Sequence, residues 1–378
     1  MKKLLFLSGT RADFGKVEPL ARAAQDSGYD VTFFVTGMHM LEKYGLTKVE
    51  VHRTFPKVAE FVNQRQGDTM DTILSKTILG FSDYVMEAKP DAVFVHGDRV
   101  EAFAGAIVCA TNYIPCVHIE GGEVSGTIDE MFRHCNTKLS SSHLVSSDSA
   151  KHRVMALGES EDQIHVIGSP ELDVHLQPSG VTLDEVRDRY QITFEDYGIC
   201  IFHPVTSEVE SMGQQARDLF RSLEQSGREF VIVAPNNDPG SEAIFEAIDK
   251  LPKERFRVLP SMRFRHFSEL MKNASAFVGN SSAGVREVPF LGIPSLNIGT
   301  RQTNRALSEE MQNCLAEDDE AIQAFLRDVW GKRLPRHSGF GSGRATERFM
   351  ALLNSGAFWN SPLQKNFVDI AGFFQRAA

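Results

Sequence analysis

The sequence predicts an α/β protein of two doubly wound domains, and three observations predict it. Short, nearly continuous apolar runs alternate with helix-period segments, the pattern of a parallel sheet covered by helices on both faces. That alternation breaks near Gly168-Ser169-Pro170, passes through Pro178-Ser179-Gly180 and then resumes, as expected at a domain boundary. At 378 residues the chain also exceeds the size at which one hydrophobic core stops growing.

The first apolar run follows Met1-Lys2-Lys3 and ends at Ser8-Gly9-Thr10-Arg11-Ala12-Asp13, too early for a signal peptide, so it reads as the first strand of a cytoplasmic protein. Strands are expected at 4–8, 31–36, 92–96, 116–120 and 143–146, separated by helices such as 17–27 and 100–112. A second series follows at 198–202, 229–234, 276–279 and 295–298. The predicted organisation is a Rossmann-like domain over 1–170 and a second one over 171–358. Residues 359–378, apolar at helical spacing, are expected to close the chain as a helix packed back on the first domain. No run of about 18 apolar residues occurs, so no membrane span is expected.

Composition narrows the function. Hydrophobic residues make up 42% and charged residues 24%, the balance of a folded globular protein. The formal net charge is -10 and Lys and Arg form no dense run, which argues against nucleic acid as a partner. A small phosphorylated ligand is still allowed, because one or two Arg residues and backbone N–H groups can hold a diphosphate. The five cysteines are widely spaced with no C-x-x-C pair, and no metal or cofactor is expected.

In open α/β sheets ligands bind at the carboxyl ends of the strands, and the motifs fall there. Gly9-Thr10-Arg11-Ala12-Asp13 follows strand one; it reads either as a small-residue turn whose N–H groups and Arg11 face an anion or as a plain βα turn. Asp98, in His96-Gly97-Asp98-Arg99, reads by itself as a helix cap. The next strand ends in His118-Ile119-Glu120-Gly121-Gly122-Glu123, where the two glycines would let the backbone approach a ligand beside the acids. Gly126-Thr127-Ile128-Asp129 then opens a helix that would return Asp129 towards Glu120. Crowded carboxylates raise one another's pKa, which keeps one acid protonated and another ionised at neutral pH.

The second half repeats the logic with different residues. His203, in His203-Pro204-Val205-Thr206, ends a strand and reads as a titratable cleft residue or as a core histidine. Asn236 lies in the turn-rich loop 235–241. Gly279-Asn280-Ser281-Ser282-Ala283-Gly284 leaves a strand for a helix through small hydroxyl residues, a turn able to cradle a diphosphate, with Glu287 further along to accept from ribose hydroxyls and Arg301 to add charge. Gly339-Phe340-Gly341-Ser342-Gly343 follows no strand and reads as the start of a helix rather than a phosphate loop.

In order and spacing these motifs resemble the hydrolysing UDP-N-acetylglucosamine 2-epimerase family of sialic-acid pathways, over most of the chain. The resemblance implies a GT-B-like fold with UDP held mainly by the second domain. It implies catalytic roles for Asp98, Glu120, Asp129 and His203, and UDP binding by Arg11, Asn236, Ser281, Ser282, Glu287 and Arg301. It also implies release of N-acetylmannosamine and UDP, and a homodimer or homotetramer. Glu120-Gly121-Gly122 and the Gly-Thr-Ile-Asp segment follow the hydrolysing pattern, where the non-hydrolysing branch reads Glu-Ala-Gly. The chain departs from many members at Phe14-Gly15, which keeps a second substrate in view: the UDP-N,N'-diacetylbacillosamine of the legionaminic acid branch. A non-hydrolysing epimerase, a glycosyltransferase and a non-catalytic sugar-nucleotide sensor rank below both.

Overall fold

The computed structural model describes residues 1–65, 67–125, 128–305 and 311–369. The chain divides into two units: Met1–Glu123 with Asp129–Asp173 and Phe340–Ala378, and Val124–Ile128 with Val174–Gly339.

The first unit holds seven parallel strands: β1 (Lys3–Ser8), β2 (Asp30–Val35), β3 (Val58–Glu60), β4 (Ala92–His96), β5 (Cys116–Ile119), β6 (Ser142–Val145) and β7 (Ile164–Val166), in the order β3-β2-β1-β4-β5-β6-β7. Register places Phe6 beside both Phe33 and Phe94. The three rings stack across neighbouring strands, with centroids 5.4 and 4.5 Å apart. Alternate residues Leu5, Leu7, Val93 and Val95 fill the opposite face. Both faces are therefore apolar, as a helix-covered parallel sheet requires.

The second unit has β8 (Tyr197–Ile201), β9 (Glu229–Val233), β10 (Phe256–Leu259), β11 (Ala276–Gly279), β12 (Ser295–Ile298) and β13 (Met311–Cys314), ordered β10-β9-β8-β11-β12-β13, again all parallel. This is the first sheet's order with one strand fewer. In both sheets the order reverses beside the first strand, between β1 and β4 and between β8 and β11, where open α/β sheets place their ligands.

Two expectations need correction. Helix Ala345–Leu353 belongs to the first unit, not to a second domain running to 358. Its buried face, Ala345, Phe349 and Leu353, joins the first core, with Phe349 edge-on to Phe94 at 5.7 Å, and Asp173 caps its first N–H groups at 2.9 and 2.7 Å. The closing helix expected over 359–378 is absent from the described part: a 3-10 turn, Phe358–Asn360, is followed by irregular chain to Asp369. Pro362 opposes helix there. Lys365 instead spans the carbonyls of Thr137, Lys138 and Ser140 at 2.6–3.1 Å, ending helix Ile128–Leu139. Residues 370–378 lie outside the described residues. Among those described, no helix is long and apolar enough to cross a membrane.

Candidate active site

In the first unit the chain leaves β4 through Gly97, whose φ of +68° suits a residue without Cβ. Its N–H donates to the Ile119 carbonyl at 2.9 Å, and its own carbonyl accepts from His118 Nε2 at 2.8 Å and Asn136 Nδ2 at 3.1 Å. A carbonyl only accepts, so Nε2 carries the His118 proton and Nδ1 accepts from Thr137 Oγ1, 3.1 Å away. Burial pushes the His118 pKa down to about 3, which keeps the ring neutral and the tautomer fixed. The turn presenting Asp98 is thus held on three sides. The Asp98 carboxylate pairs with the guanidinium of Arg133, buried on helix Ile128–Leu139 and bonded also to the Glu123 carbonyl at 3.1 Å.

Glu120 follows β5, the neighbouring strand, and takes a φ of +71°. Left-handed backbone at a non-glycine residue costs on the order of 1 kcal/mol and persists where the surroundings impose it; here the Glu120 N–H is tied to the Leu144 carbonyl at 2.9 Å. The carboxylate, 5% exposed, lies 3.2 Å from Lys16 Nζ and 2.9 Å from His96 Nε2. Asp129 opens helix Ile128–Leu139 one turn before Arg133, on the face that meets Asp98. The structure therefore sets Asp98 and Glu120 at neighbouring strand ends and Asp129 one turn from the arginine that pairs with Asp98. The glycines after Glu120 serve another purpose than close approach to a ligand. A Cβ on Gly122 would sit 2.2 Å from the Ala150 carbonyl, and one on Gly121 would sit 3.0 Å from the His118 ring. Their space is taken by the protein itself.

The turn after β1 also departs from expectation. The Asp13 carboxylate accepts from the N–H groups of Gly9 and Thr10 at 3.0–3.1 Å and from Ser8 Oγ at 2.5 Å, so the donors predicted to meet an anion already hold one from their own helix. Arg11 is paired with Glu50 at 2.6 Å. Beneath this turn lies Glu101, fully buried and held protonated to higher pH than usual by that burial.

In the second unit His203 follows β8. Asn280, itself buried, clamps its backbone: Oδ1 accepts from the His203 N–H at 2.6 Å and Nδ2 donates to the His203 carbonyl at 2.8 Å. The Asn236 N–H donates to His203 Nδ1 at 3.1 Å, which makes Nε2 the nitrogen that bears the proton and can donate. Gly279 is obligatory, since a Cβ there would lie 2.1 Å from the Ile201 carbonyl. Ser281 caps helix Ser282–Phe290 and Ser282 begins it. Arg301 Nη1 and Gln302 Nε2 reach the Asn280 carbonyl at 3.3 and 2.9 Å. The structure thus gathers His203, Asn236, Ser281, Ser282 and Arg301 around Asn280. Glu287 lies further along the helix, buried, with its Oε1 3.2 Å from His175 Nε2.

Sequence reasoning gave no role to Arg133, Lys16 or His175, and named Asn280 only as part of the turn after β11. Arg133 alone left a signal: four residues from Asp129 on a helix, it had to share that acid's face. The first unit's strand ends are equipped for proton transfer by carboxylates held against cations, and the second unit's for an anion met by hydroxyls, a helix N-terminus, a histidine and an arginine. Among the described residues no cluster of three or more His, Cys, Asp or Glu is arranged to hold a metal.

Residues 21–354 match the family described as UDP-N-acetylglucosamine 2-epimerase. The chain is 41% identical over 98% of its length to a UDP-N-acetylglucosamine 2-epimerase of Neisseria meningitidis, all of which is covered. It is 32% identical over 94% of its length, and 96% of the relative's, to a hydrolysing UDP-N,N'-diacetylbacillosamine 2-epimerase of Legionella pneumophila. The fold is GT-B-like: the UDP-GlcNAc 2-epimerase of Methanocaldococcus jannaschii, in complex with UDP-GlcNAc and UDP, superposes with a TM-score of 0.80 at 21% identity, covering 93% of this chain and 99% of that one.

Proposed function

Because the chain belongs to the UDP-N-acetylglucosamine 2-epimerase family, we propose that it is a hydrolysing member, converting UDP-GlcNAc and water to N-acetylmannosamine and UDP for sialic-type acid synthesis. The observation that carries this reading is the pair of acids on adjacent strand ends, Asp98 against Arg133 and Glu120 against Lys16, with Asp129 on the same helix as Arg133. The C2 proton of the sugar is not next to a carbonyl, so its removal needs positive charge developing at C1 as UDP departs. A carboxylate takes that proton, the C1–O bond breaks with its electron pair going to UDP, and a 2-acetamidoglucal remains. Water then adds at C1 and a second acid returns a proton to C2 from the opposite face, which inverts that centre and calls for more than one carboxylate. Ser281, Ser282, Arg301 and the His203 Nε2–H are suited to hold the departing diphosphate, with Asn236 orienting His203. Arg11 enters this scheme only by exchanging Glu50 for the nucleotide.

The hydrolysing outcome is supported by the relative of that name at 32% identity and by Glu120-Gly121-Gly122. At Phe14-Gly15, the Phe14 ring is buried against Phe33 and Phe55, with centroids 5.4 and 6.2 Å away. Incubation of the pure protein with UDP-GlcNAc in deuterium oxide tests the reading: UDP, free N-acetylmannosamine and deuterium at C2 are expected. An intact UDP-sugar as sole product would sink it, and turnover of the 2,4-diacetamido-6-deoxy analogue alone would move the assignment to the bacillosamine branch.

A further inference from the structure

Glu287 is joined to two buried side chains for which neither the catalytic acids nor the diphosphate has a use. His175, near the end of helix Pro170–Leu176, sets Nε2 3.2 Å from Glu287 Oε1, and its Nδ1 lies 2.8 Å from Ser268 Oγ on helix Phe264–Lys272. His175 and Ser268 are 3% and 0% exposed. Both ring nitrogens are therefore engaged, Nε2 by the Glu287 carboxyl group and Nδ1 by the serine hydroxyl. Hydrogen bonding thus links Ser268, His175 and Glu287 in one chain. Phe264 flanks the imidazole at 5.7 Å between centroids, restricting the ring plane that the carboxylate must match.

Such a relay is a costly way to join three helices. Buried polar groups stabilise only when every partner is in place, and an apolar trio of the same volume packs at least as well. What the relay adds is a fixed carboxylate orientation. Glu287 stands five residues beyond Ser282 on one helix, about 7–8 Å along its axis, roughly the step from a bound phosphate to the neighbouring sugar. Two vicinal hydroxyls make directional bonds to a carboxylate held in one plane and lose them to one that rotates.

We propose that His175 and Ser268 are positioning residues that hold Glu287 to accept the nucleotide's ribose hydroxyls, so that the site selects ribonucleotides over 2'-deoxyribonucleotides. This rests on the reading that Glu287 meets the ribose.

Calorimetric titration with UDP and 2'-deoxy-UDP tests it on the wild type and on Glu287→Gln, His175→Leu, His175→Gln and Ser268→Ala, each first checked for cooperative thermal unfolding. The wild type is expected to prefer UDP by about tenfold or more. His175→Leu should cut that preference at least about fivefold while the affinity for 2'-deoxy-UDP stays within about twofold. His175→Gln, whose amide can still donate to Glu287, should keep most of the preference, and Ser268→Ala should lose part of it. A purely structural role would weaken both nucleotides together, and that result would overturn the proposal. So would an unchanged preference in His175→Leu where Glu287→Gln has abolished it, although the ribose reading of Glu287 would then survive. If Glu287→Gln itself keeps the wild-type preference, the ribose reading fails. Should His175→Leu not fold, the same ratio in His175→Gln and Ser268→Ala decides.

Discussion

The two units share a strand order and differ in what they hang from it. At the same topological position, the turn after the fourth strand of each sheet, one unit carries Gly97-Asp98-Arg99 and the other Gly279-Asn280-Ser281. The first turn ends in a carboxylate against a buried guanidinium. The second ends in an amide that clamps the neighbouring strand end and a serine that caps a helix. Even the helix starts diverge: Arg99 makes no capping hydrogen bond to helix Val100–Thr111, whereas Ser281 caps the helix that follows it. The topology supplies two equivalent addresses, and under the proposed function the side chains at them would give acid–base work to one and anion holding to the other.

Asp98→Asn is the most direct way to break that division, and the largest effect is expected there. Turnover should fall by about a thousandfold, roughly 4 kcal/mol of barrier, while calorimetry should find UDP binding within about threefold of wild type. A variant that loses UDP and keeps its turnover number would place the nucleotide on the first unit. Gly279→Ala comes next. Its Cβ would meet the Ile201 carbonyl at 2.1 Å in a backbone already at φ +143°, so a loss of about 3 kcal/mol or more in chemical denaturation is expected. Ser282→Ala should weaken UDP by about tenfold, roughly 1.4 kcal/mol, with little change in kcat. Gly97→Ala, at φ +68° but with nothing within 4 Å of the added carbon, should cost only about 1 kcal/mol of stability. The contrast between the two glycines separates backbone strain from steric exclusion.

The same contrast between buried and half-buried positions explains what could be read from the chain. All nine predicted strands exist, within a residue at each end. The four that were missed, β3, β7, β10 and β13, are the four sheet edges. Interior strands such as β4, β5, β8 and β11 are buried at every position, whereas Val58–Glu60 has no buried residue and Met311–Cys314 has one. An edge covered on one side needs no continuous apolar run, so its sequence does not announce it. The candidate site divides in the same way. Asp98, Glu120, His203 and Ser281 were legible because strand ends are predictable. Lys16 and the clamp that Asn280 makes were not, because each acts through a contact made across sequence, 104 residues from Glu120 in one case and 77 from His203 in the other. The tail misled because its apolar spacing was helical while Pro362 and the Lys365 contacts decided its path.

Acid separates the units once more, with a definite sign. The histidines that burial drives downward, His39 to about 4, His118 to about 3, and His143 and His165 in the same direction, all belong to the first unit. In the unfolded chain each titrates near its ordinary 6.5, whereas folded His39 and His118 refuse the proton until much lower pH. Between those values the unfolded state binds more protons, so stability falls as pH falls, by about 1.4 kcal/mol per pH unit for each such histidine once pH is well below 6.5. Well above 6.5 neither state is protonated and these residues contribute no pH dependence. One unit below that point, His118 and His39 should therefore each cost the first unit about 1.4 kcal/mol. Native-state hydrogen exchange, converted to opening free energies at pH 7.0 and pH 5.5, should show amides of β1, β4 and β5 losing protection while those of β8 and β11 hold theirs. The His118 ring resonances should not titrate above about pH 4; a midpoint near 6.5 would mean that the imidazole is accessible to solvent and that the Gly97 turn is not locked by its neutral tautomer.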